Sequence, residues 1–113
     1  MFEGKLMQKH LDQLNELALL KDNWDEEGAP ALSLTCIEKT KEIIEWAFQN
    51  KINIDYVDAD VMGGTAIGID NDSGKYVWIS IKNNGAVYNI YGANCRHGTL
   101  DDVKEYLKED DDG

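Results

Sequence analysis

The sequence has little of what usually assigns a chain to a functional class. Among its 113 residues are one proline and two cysteines, and 11 basic residues stand against 22 acidic ones. The cysteines form no CxxC or Cys/His cluster with metal-ligand spacing, so reduced, partly buried thiols are expected. No apolar run approaches membrane-spanning length, and residues 1–14 lack the apolar centre of a signal peptide. We therefore expect one domain in a cytoplasm, that of a bacterium or of an infected host cell.

Signatures of nucleotide and cofactor binding are also missing. No GxGxxG follows a predicted strand, no GxxxxGK[ST] occurs, and Gly63-Gly64 precedes a strand instead of a helix. The run Asp70–Gly74 resembles a calcium loop, but its glycine falls one place early and Ile81 stands where a bidentate acid is needed, so a hairpin turn is expected. We expect no metal and no cofactor.

One short run could carry catalysis. Cys95-Arg96-His97 places a thiol, a cation and an imidazole side by side. Adjacent residues of an extended chain point in opposite directions, and no carboxylate stands at a recognisable spacing to orient the histidine. We therefore expect a loop histidine and a protein that is not an enzyme.

The charge indicates what kind of partner the protein binds. A formal net charge of −11 repels phosphate backbones and attracts basic surfaces, so direct binding to DNA or RNA is disfavoured. A protein that itself holds nucleic acid is a favoured partner. The alternative is that the acidity only keeps the chain soluble.

Helical periodicity occupies the first half of the chain. Apolar residues recur at three- and four-residue steps over residues 5–21, which predicts an amphipathic helix. A second helix is predicted from a capping box, Thr35 with Glu38, to about Asn50. Its outer face carries Glu38, Glu42 and Glu45, a row that is usually solvated but could bind a partner.

Alternating periodicity follows and predicts an antiparallel sheet. Strands are expected at 65–69, 76–81 and 87–91, with a further extended piece around 56–60. Asn84-Gly85 is typical of a type I′ turn. Residues 92–98 are predicted as a loop, and Thr99 with Asp102 predicts a capping box that opens a short last helix. The fold class is therefore α+β, with two N-terminal helices on a three- to four-stranded meander, a domain at 1–108 and a frayed acidic tail at 109–113.

The middle strand has two unlike faces. Val77, Ile79 and Ile81 are expected to face the helices, which leaves Tyr76 and Trp78 on the other side of the sheet. Aromatic rings there are either covered by the C-terminal segment or available to a partner, and we expect coverage.

The connection between the helices, NWDEEGAPALS, sets one aromatic residue against three acids. Trp24 is expected to fold inward as a plug between the helices, since a loop gains little from exposing so much apolar surface. Asp25, Glu26 and Glu27 then point outward, free to bind a basic partner or simply to hydrate.

This connection resembles a motif in a loose group of small bacterial and phage-encoded proteins, mostly of uncharacterised function. They have a helix ending in Asn-Trp-Asp-Gly-x-Gly-Ala-Pro, a Ser or Thr opening the next helix, and a strand led by Gly-Gly. The matching residues are Asn23, Trp24, Asp25, Gly28, Ala29, Pro30, Ser33, Gly63 and Gly64. Glu26 replaces a glycine, and the Glu-Trp pair usual after Gly-Gly is missing. The resemblance spans about residues 6–91; it implies the fold and no catalytic role.

In size and acidity the chain is also similar to phage proteins that disable host nucleases, including anti-CRISPR proteins. By that analogy we expect a non-enzymatic inhibitor that blocks a basic nucleic-acid-binding surface, with the acids of the second helix and of the segment 101–112 at the contact. The alternative is an antitoxin, immunity or host accessory protein that binds through the sheet aromatics. The predicted partner-binding residues are Asp25, Glu26, Glu27, Glu38, Glu42, Glu45, Tyr76, Trp78, Asp101, Asp102 and Glu105. Whether the protein is a monomer or a homodimer is left open.

Overall fold

Three helices and five strands make up the computed structural model, which describes residues 2–70, 74–92 and 94–108. The helices are α1 (Phe2–Leu17), α2 (Leu34–Gln49) and α3 (Leu100–Lys108). The strands are β1 (Ile54–Ala59), β2 (Thr65–Asp70), β3 (Tyr76–Ile81), β4 (Val87–Tyr91) and β5 (Arg96–Gly98). The α+β class and the order of elements are confirmed. The predicted tail at 109–113 and most of the predicted turn at 70–74 lie outside the described residues.

The helix boundaries correct two predictions and confirm one. α1 ends at Leu17 and not near residue 21. α2 is capped by Ser33, whose hydroxyl accepts a hydrogen bond from Cys36 N at 3.0 Å, so the predicted Thr35 cap is wrong by two residues. α3 opens with the predicted capping box: Asp102 N donates to Thr99 Oγ1 at 3.1 Å, and Thr99 N donates to Asp102 Oδ2 at 2.9 Å.

The sheet is an antiparallel meander in the order β1-β2-β3-β4-β5. It has one strand more than the largest predicted number, because residues 96–98, predicted as loop, pair with β4. A three-residue strand is too short to give an alternating pattern, so its sequence carried no signal. The β3–β4 turn is not type I′ either: Gly85 alone among the turn residues has a positive φ, at 90°.

All three helices lie on one face of the sheet. Val77, Ile79 and Ile81 are fully buried beneath them, as predicted. α1 packs on α2 and β1, α2 on β2 and β3, and α3 on β4 and β5. Val103 of α3 belongs to the same buried core, and the ring of Tyr106 lies against that of Tyr91 on this side. The expectation that the C-terminal segment covers Tyr76 and Trp78 is therefore wrong for the described residues, because the apolar side of α3 is used on the helical face.

Where α2 crosses the sheet, the core contains a small polar cluster. Thr40 Oγ1 donates to Cys36 O at 2.7 Å and lies 2.6 Å from Thr65 Oγ1. The Cys36 thiol donates to Ile81 O at 3.4 Å. All three side chains are fully buried, so these bonds offset the cost of removing polar groups from water and fix how α2 sits on β2 and β3.

Candidate protein-binding surface

The face of the sheet opposite the helices carries a group of large side chains. We call it the open face; its main side chains are Tyr56, Tyr76, Trp78, Tyr88, Ile90 and His97. Tyr76 and Tyr88 are 47% and 49% exposed, although most large apolar side chains of the sheet are buried. Trp78 is half-buried between them. Contiguous exposed aromatic surface of this kind is uncommon unless a partner covers it.

The strand register explains how the rings come together. Tyr56, Gly68, Trp78, Ile90 and His97 are paired in one row across all five strands. Paired residues point to the same face, so the row runs across the open face. Gly68 is central to it, because a Cβ at that position would overlap the Tyr56 ring. The missing side chain lets this ring lie over β2, and its hydroxyl reaches that of Tyr76 at 2.9 Å.

The Tyr56 hydroxyl lies in a distinctive electrostatic setting. Burial raises the pKa of Tyr56 to about 12, and the hydrogen bond with Tyr76 and the charges of Asp55 and Asp58 act in the same direction. The phenol therefore stays protonated throughout the physiological range and serves as a fixed hydrogen-bonding group. Asp55 and Asp58 therefore bring negative charge near the Tyr56 hydroxyl at this end of the open face.

The described residues of the open face line two depressions. One, of about 420 Å³, is lined by Tyr76, Trp78, Ile90, Cys95 and His97. The other, of about 540 Å³, lies between Tyr56 and Trp78 and is bordered by Asp58, Asp60 and Lys82 among others. Both are shallow surface features, of a kind that suits protruding side chains of a partner.

Ser80 lies beneath this surface. It is 2% exposed, and its hydroxyl has no hydrogen-bond partner among the described residues. It lies two residues from Trp78 along β3 and pairs with Ala66 on β2, so it faces the same side as the second depression, which both of these residues line.

Catalysis by Cys95 and His97 gains no further support from the geometry. Both residues are exposed and border the same depression, and Cys95 has an unusual φ of 53°. Among the described residues, no carboxylate lines that depression to orient the imidazole. Within the described ranges, no group of three or more side chains is placed to hold a metal ion. Cys95 is also more exposed than the partly buried thiol expected, whereas Cys36 is buried.

The acids of the NWDEEGAP connection divide into two kinds. Asp25 binds the loop itself, since its Oδ1 accepts from Glu27 N at 2.9 Å and from Ala29 N at 2.8 Å. The Ala29 bond, then the Glu27 bond, lowers the pKa of Asp25 below its ordinary value of 3.8. Glu26 and Glu27 are exposed. Asp25 therefore stabilises the loop, whereas Glu26 and Glu27 remain available to a partner on the surface.

Further bonds make this connection rigid. Asn23 Oδ1 accepts from Gly28 N at 2.7 Å, and Trp24 Nε1 donates to Pro30 O at 2.9 Å. Trp24 is half-buried and stands outside the hydrophobic core, so it braces its own loop and is not the plug between helices that was expected. Asn83 ties the loop to the sheet: its Oδ1 accepts from Ser33 N at 2.9 Å, and its Nδ2 donates to Ala31 O at 3.0 Å.

The remaining predicted acids lie on the helical layer. Glu38 and Glu42 are exposed on α2 and Glu45 is half-buried there; Asp101, Asp102 and Glu105 are exposed on α3. Two of them already have partners, since Glu42 lies 3.3 Å from Lys39 Nζ and Asp102 belongs to the capping box. Because α2 and α3 pack on the core side, these acids do not share a surface with Tyr76 and Trp78.

Four of the open-face residues were missed by the sequence reasoning: Tyr56, Tyr88, Ile90 and His97. Tyr88 and Ile90 alternate with the buried Asn89 and Tyr91, a signal that was present in the sequence. Tyr56 could be placed only through its pairing with Gly68, and His97 only through β5.

Comparisons of the chain with protein-family models, with curated proteins and with solved structures find no match in any of the three. Among the described residues, no helix combines the length and the apolar character needed to cross a membrane.

Proposed function

We propose that this protein is a non-enzymatic binding module that captures a protein partner on the open face of its sheet, as an antitoxin, an immunity protein or an accessory protein does. The observation that carries the proposal is the exposure of Tyr76 and Tyr88 on either side of Trp78, on a face to which no described helix packs. Tyrosine and tryptophan dominate the binding energy of protein interfaces, because they bury much surface and lose little conformational entropy.

The scaffold beneath these rings suits such a role. Trp78 alternates with Val77 and Ile79, both fully buried, so its backbone is anchored in the core. The Tyr56–Tyr76 hydrogen bond holds two further rings in place before a partner arrives. Preorganised side chains lose less freedom on binding, which favours affinity.

The test begins with a pull-down from bacterial lysate, with the captured proteins identified by mass spectrometry. Affinity for the recovered partner is then measured for the wild type, Trp78→Ala and Leu34→Ala. Leu34 is the matched control, since it is a large apolar side chain, 69% exposed, on the helical layer. Trp78→Ala is expected to weaken binding by at least about 30-fold, the size of a hot-spot effect, and Leu34→Ala to change it less than about threefold. Equal effects of the two variants would reject the open face as the interface.

A second candidate function uses the helical layer. Glu38 and Glu45 of α2, with Asp101 and Glu105 of α3, form no ion pair among the described residues. These acids favour a phage-type inhibitor that blocks the basic nucleic-acid-binding surface of a nuclease complex. Such binding weakens steeply as salt rises, because exposed charges are screened within about 8 Å at physiological ionic strength. Charge reversal by Glu38→Lys and Asp101→Lys then abolishes binding and Trp78→Ala does not, the opposite of the result expected for the open face.

A further inference from the structure

We infer that the partner presents an arginine or lysine side chain to the depression between Tyr56 and Trp78, which we call the Tyr56 pocket. This inference rests on the proposed use of the open face. The pocket is bordered by Tyr56, Trp78, Asp58, Asp60, Lys82 and Met62 and has a volume of about 540 Å³. That is enough room for one long side chain and the backbone on either side of it.

Two aromatic rings form the walls of the pocket. Tyr56 and Trp78 both pair with Gly68, from opposite sides of β2. The Tyr56 ring fills the space that a Gly68 side chain would take, and the small side chain of Ala66 lines the pocket between the two rings. A guanidinium or ammonium group is attracted to the face of such rings, most strongly to tryptophan. The same chain already shows this contact elsewhere, where Arg96 Cζ lies 4.9 Å from the centre of the Tyr91 ring.

Charge selects a cation over a neutral side chain. Asp60 is held by Lys82, whose Nζ lies 3.5 Å from Asp60 Oδ2. Asp58 is exposed and forms no ion pair among the described residues; its Oδ1 accepts a hydrogen bond from the adjacent Ala59 N at 2.8 Å. Asp58 thus offers a carboxylate beside the Tyr56 ring, where Asp55 adds to the negative field. A cation from the partner would meet a ring face and a carboxylate together.

The pocket rim supplies apolar contacts to the residues that flank the cation. Met62 and Val61 are 79% and 53% exposed in the β1–β2 turn. Methionine adapts to varied apolar partners because its side chain is flexible and polarisable. The expected ligand is therefore a basic residue between apolar ones, not a uniformly basic segment.

The same charges argue against two other occupants. A second copy of this chain would bring together two faces of a protein with a net charge of −11, each with Asp58 and Asp60 at the contact. A nucleic acid would bring phosphates to the same carboxylates. A basic protein segment is the occupant whose charge complements the pocket.

The experiment selects binders from a library of short random peptides displayed on phage against the immobilised wild-type protein. Enriched peptides are synthesised, and their affinities are measured for the wild type, Asp58→Asn, Asp101→Asn and Trp78→Ala. Asp101→Asn removes the same charge from an exposed position on α3. Each peptide is also prepared with citrulline, the neutral isostere of arginine, in place of its arginine, or with norleucine in place of its lysine.

We expect enriched peptides to contain arginine or lysine beside apolar residues. Asp58→Asn and the neutral replacement should each weaken binding about tenfold. Asp101→Asn should weaken it less than about twofold, because it makes the same change in net charge at a position outside the pocket. Peptides that need Trp78 but are indifferent to Asp58 and to the neutral replacement would overturn the cationic pocket and leave the open face intact as an interface. Peptides that bind equally well to Trp78→Ala would overturn both.

Discussion

The hydroxyl groups of Tyr56 and Tyr76 lie 2.9 Å apart, although β2 separates the two strands that carry them. Gly68 makes this contact possible, because the Tyr56 ring occupies the space that a Cβ would take. A glycine in the middle of a strand normally weakens the sheet, and an aromatic ring laid across it recovers buried area. The open face therefore depends on a residue with no side chain of its own.

Gly68→Ala should be destabilising, although alanine is ordinarily the better strand residue. The added methyl group displaces the Tyr56 ring and breaks its bond to Tyr76, and overpacking of this kind costs about 1–3 kcal/mol. Urea denaturation measures the cost. In a Tyr56→Ala background the same change should cost less than about 0.5 kcal/mol, since the ring is gone. An equal cost in both backgrounds would show that the ring is not the obstacle.

The Thr40–Thr65 pair should show strong non-additivity. Thr40→Val leaves Thr65 Oγ1 with only the Cys36 sulfur, 3.8 Å away, and Thr65→Val likewise removes the 2.6 Å partner of Thr40. Thr40→Val is expected to lose about 1–3 kcal/mol of unfolding free energy, because the buried Thr65 hydroxyl loses its close partner. Thr65→Val should lose about 0.5–1.5 kcal/mol, since Thr40 keeps its bond to Cys36 O. The double variant should cost less than the sum of the two, since both hydroxyls are removed together. A double-mutant cycle by chemical denaturation decides this, and strict additivity would contradict the contact.

Asp25 should make stability depend on acid pH. Its folded-state pKa lies below the ordinary value of 3.8, so the charged carboxylate stabilises the fold above about that pH and loses this contribution as the pH falls through the folded-state pKa. Asp25→Asn should therefore lower the urea midpoint near neutral pH, and the difference from wild type should shrink under acid conditions. Glu27→Gln is the control, because Glu27 is exposed and its side chain forms no hydrogen bond among the described residues.

Asn83 should contribute more to stability than its neighbour Asn84. Asn83→Ala removes both side-chain bonds to the helix connection, at Ala31 O and Ser33 N, and should cost about 1–3 kcal/mol. Asn84→Ala removes one exposed bond, to Ala86 N at 2.9 Å, and should cost less than about 1 kcal/mol. Thermal or urea unfolding of the two variants provides the comparison. Similar losses would show that the Asn83 bonds between the helix connection and the β3–β4 turn contribute little to stability.

The fold could be predicted from the sequence where a hydrophobic pattern ran over several residues or where both members of a motif lay close together in the chain. The period-two run through Val77, Ile79 and Ile81 gave the buried face correctly, and the Thr99 capping box was found because both of its partners lie within one turn. The capping-box pattern placed the α2 cap at Thr35, whereas the resemblance marked Ser33 as the residue that opens this helix, as the structure has it. Neither indicated that the Ser33 hydroxyl also donates to the distant Asn83 O, at 2.6 Å. A local pattern carries no information about a contact fifty residues away.

Only half of the candidate surface could be predicted from the sequence, for a related reason. Tyr76 and Trp78 followed from alternation, but whether α3 would cover them depended on which side of the sheet its Val103 would pack. That choice is made by tertiary packing and has no signature within residues 99–108. The roles of the acidic residues could not be assigned by counting charges. Asp25 and Asp102 accept hydrogen bonds from backbone N–H groups, and the number of acids in a sequence does not show which of them do so.

Because the helices cover only one side of the sheet, the residues on that side are constrained by packing, and those on the other side, under the proposed function, by binding. Substitution at Val77 or Ile79 disturbs the interior, whereas the exposed Tyr88 can be exchanged with little effect on folding. Inserting a single residue in β3 would instead turn the strand over and drive the rings inward. As a partner changes, the open face can therefore adapt to it by substitution of exposed residues. Insertion or deletion of a single residue within a strand cannot serve this purpose, because it reverses which side chains face outward.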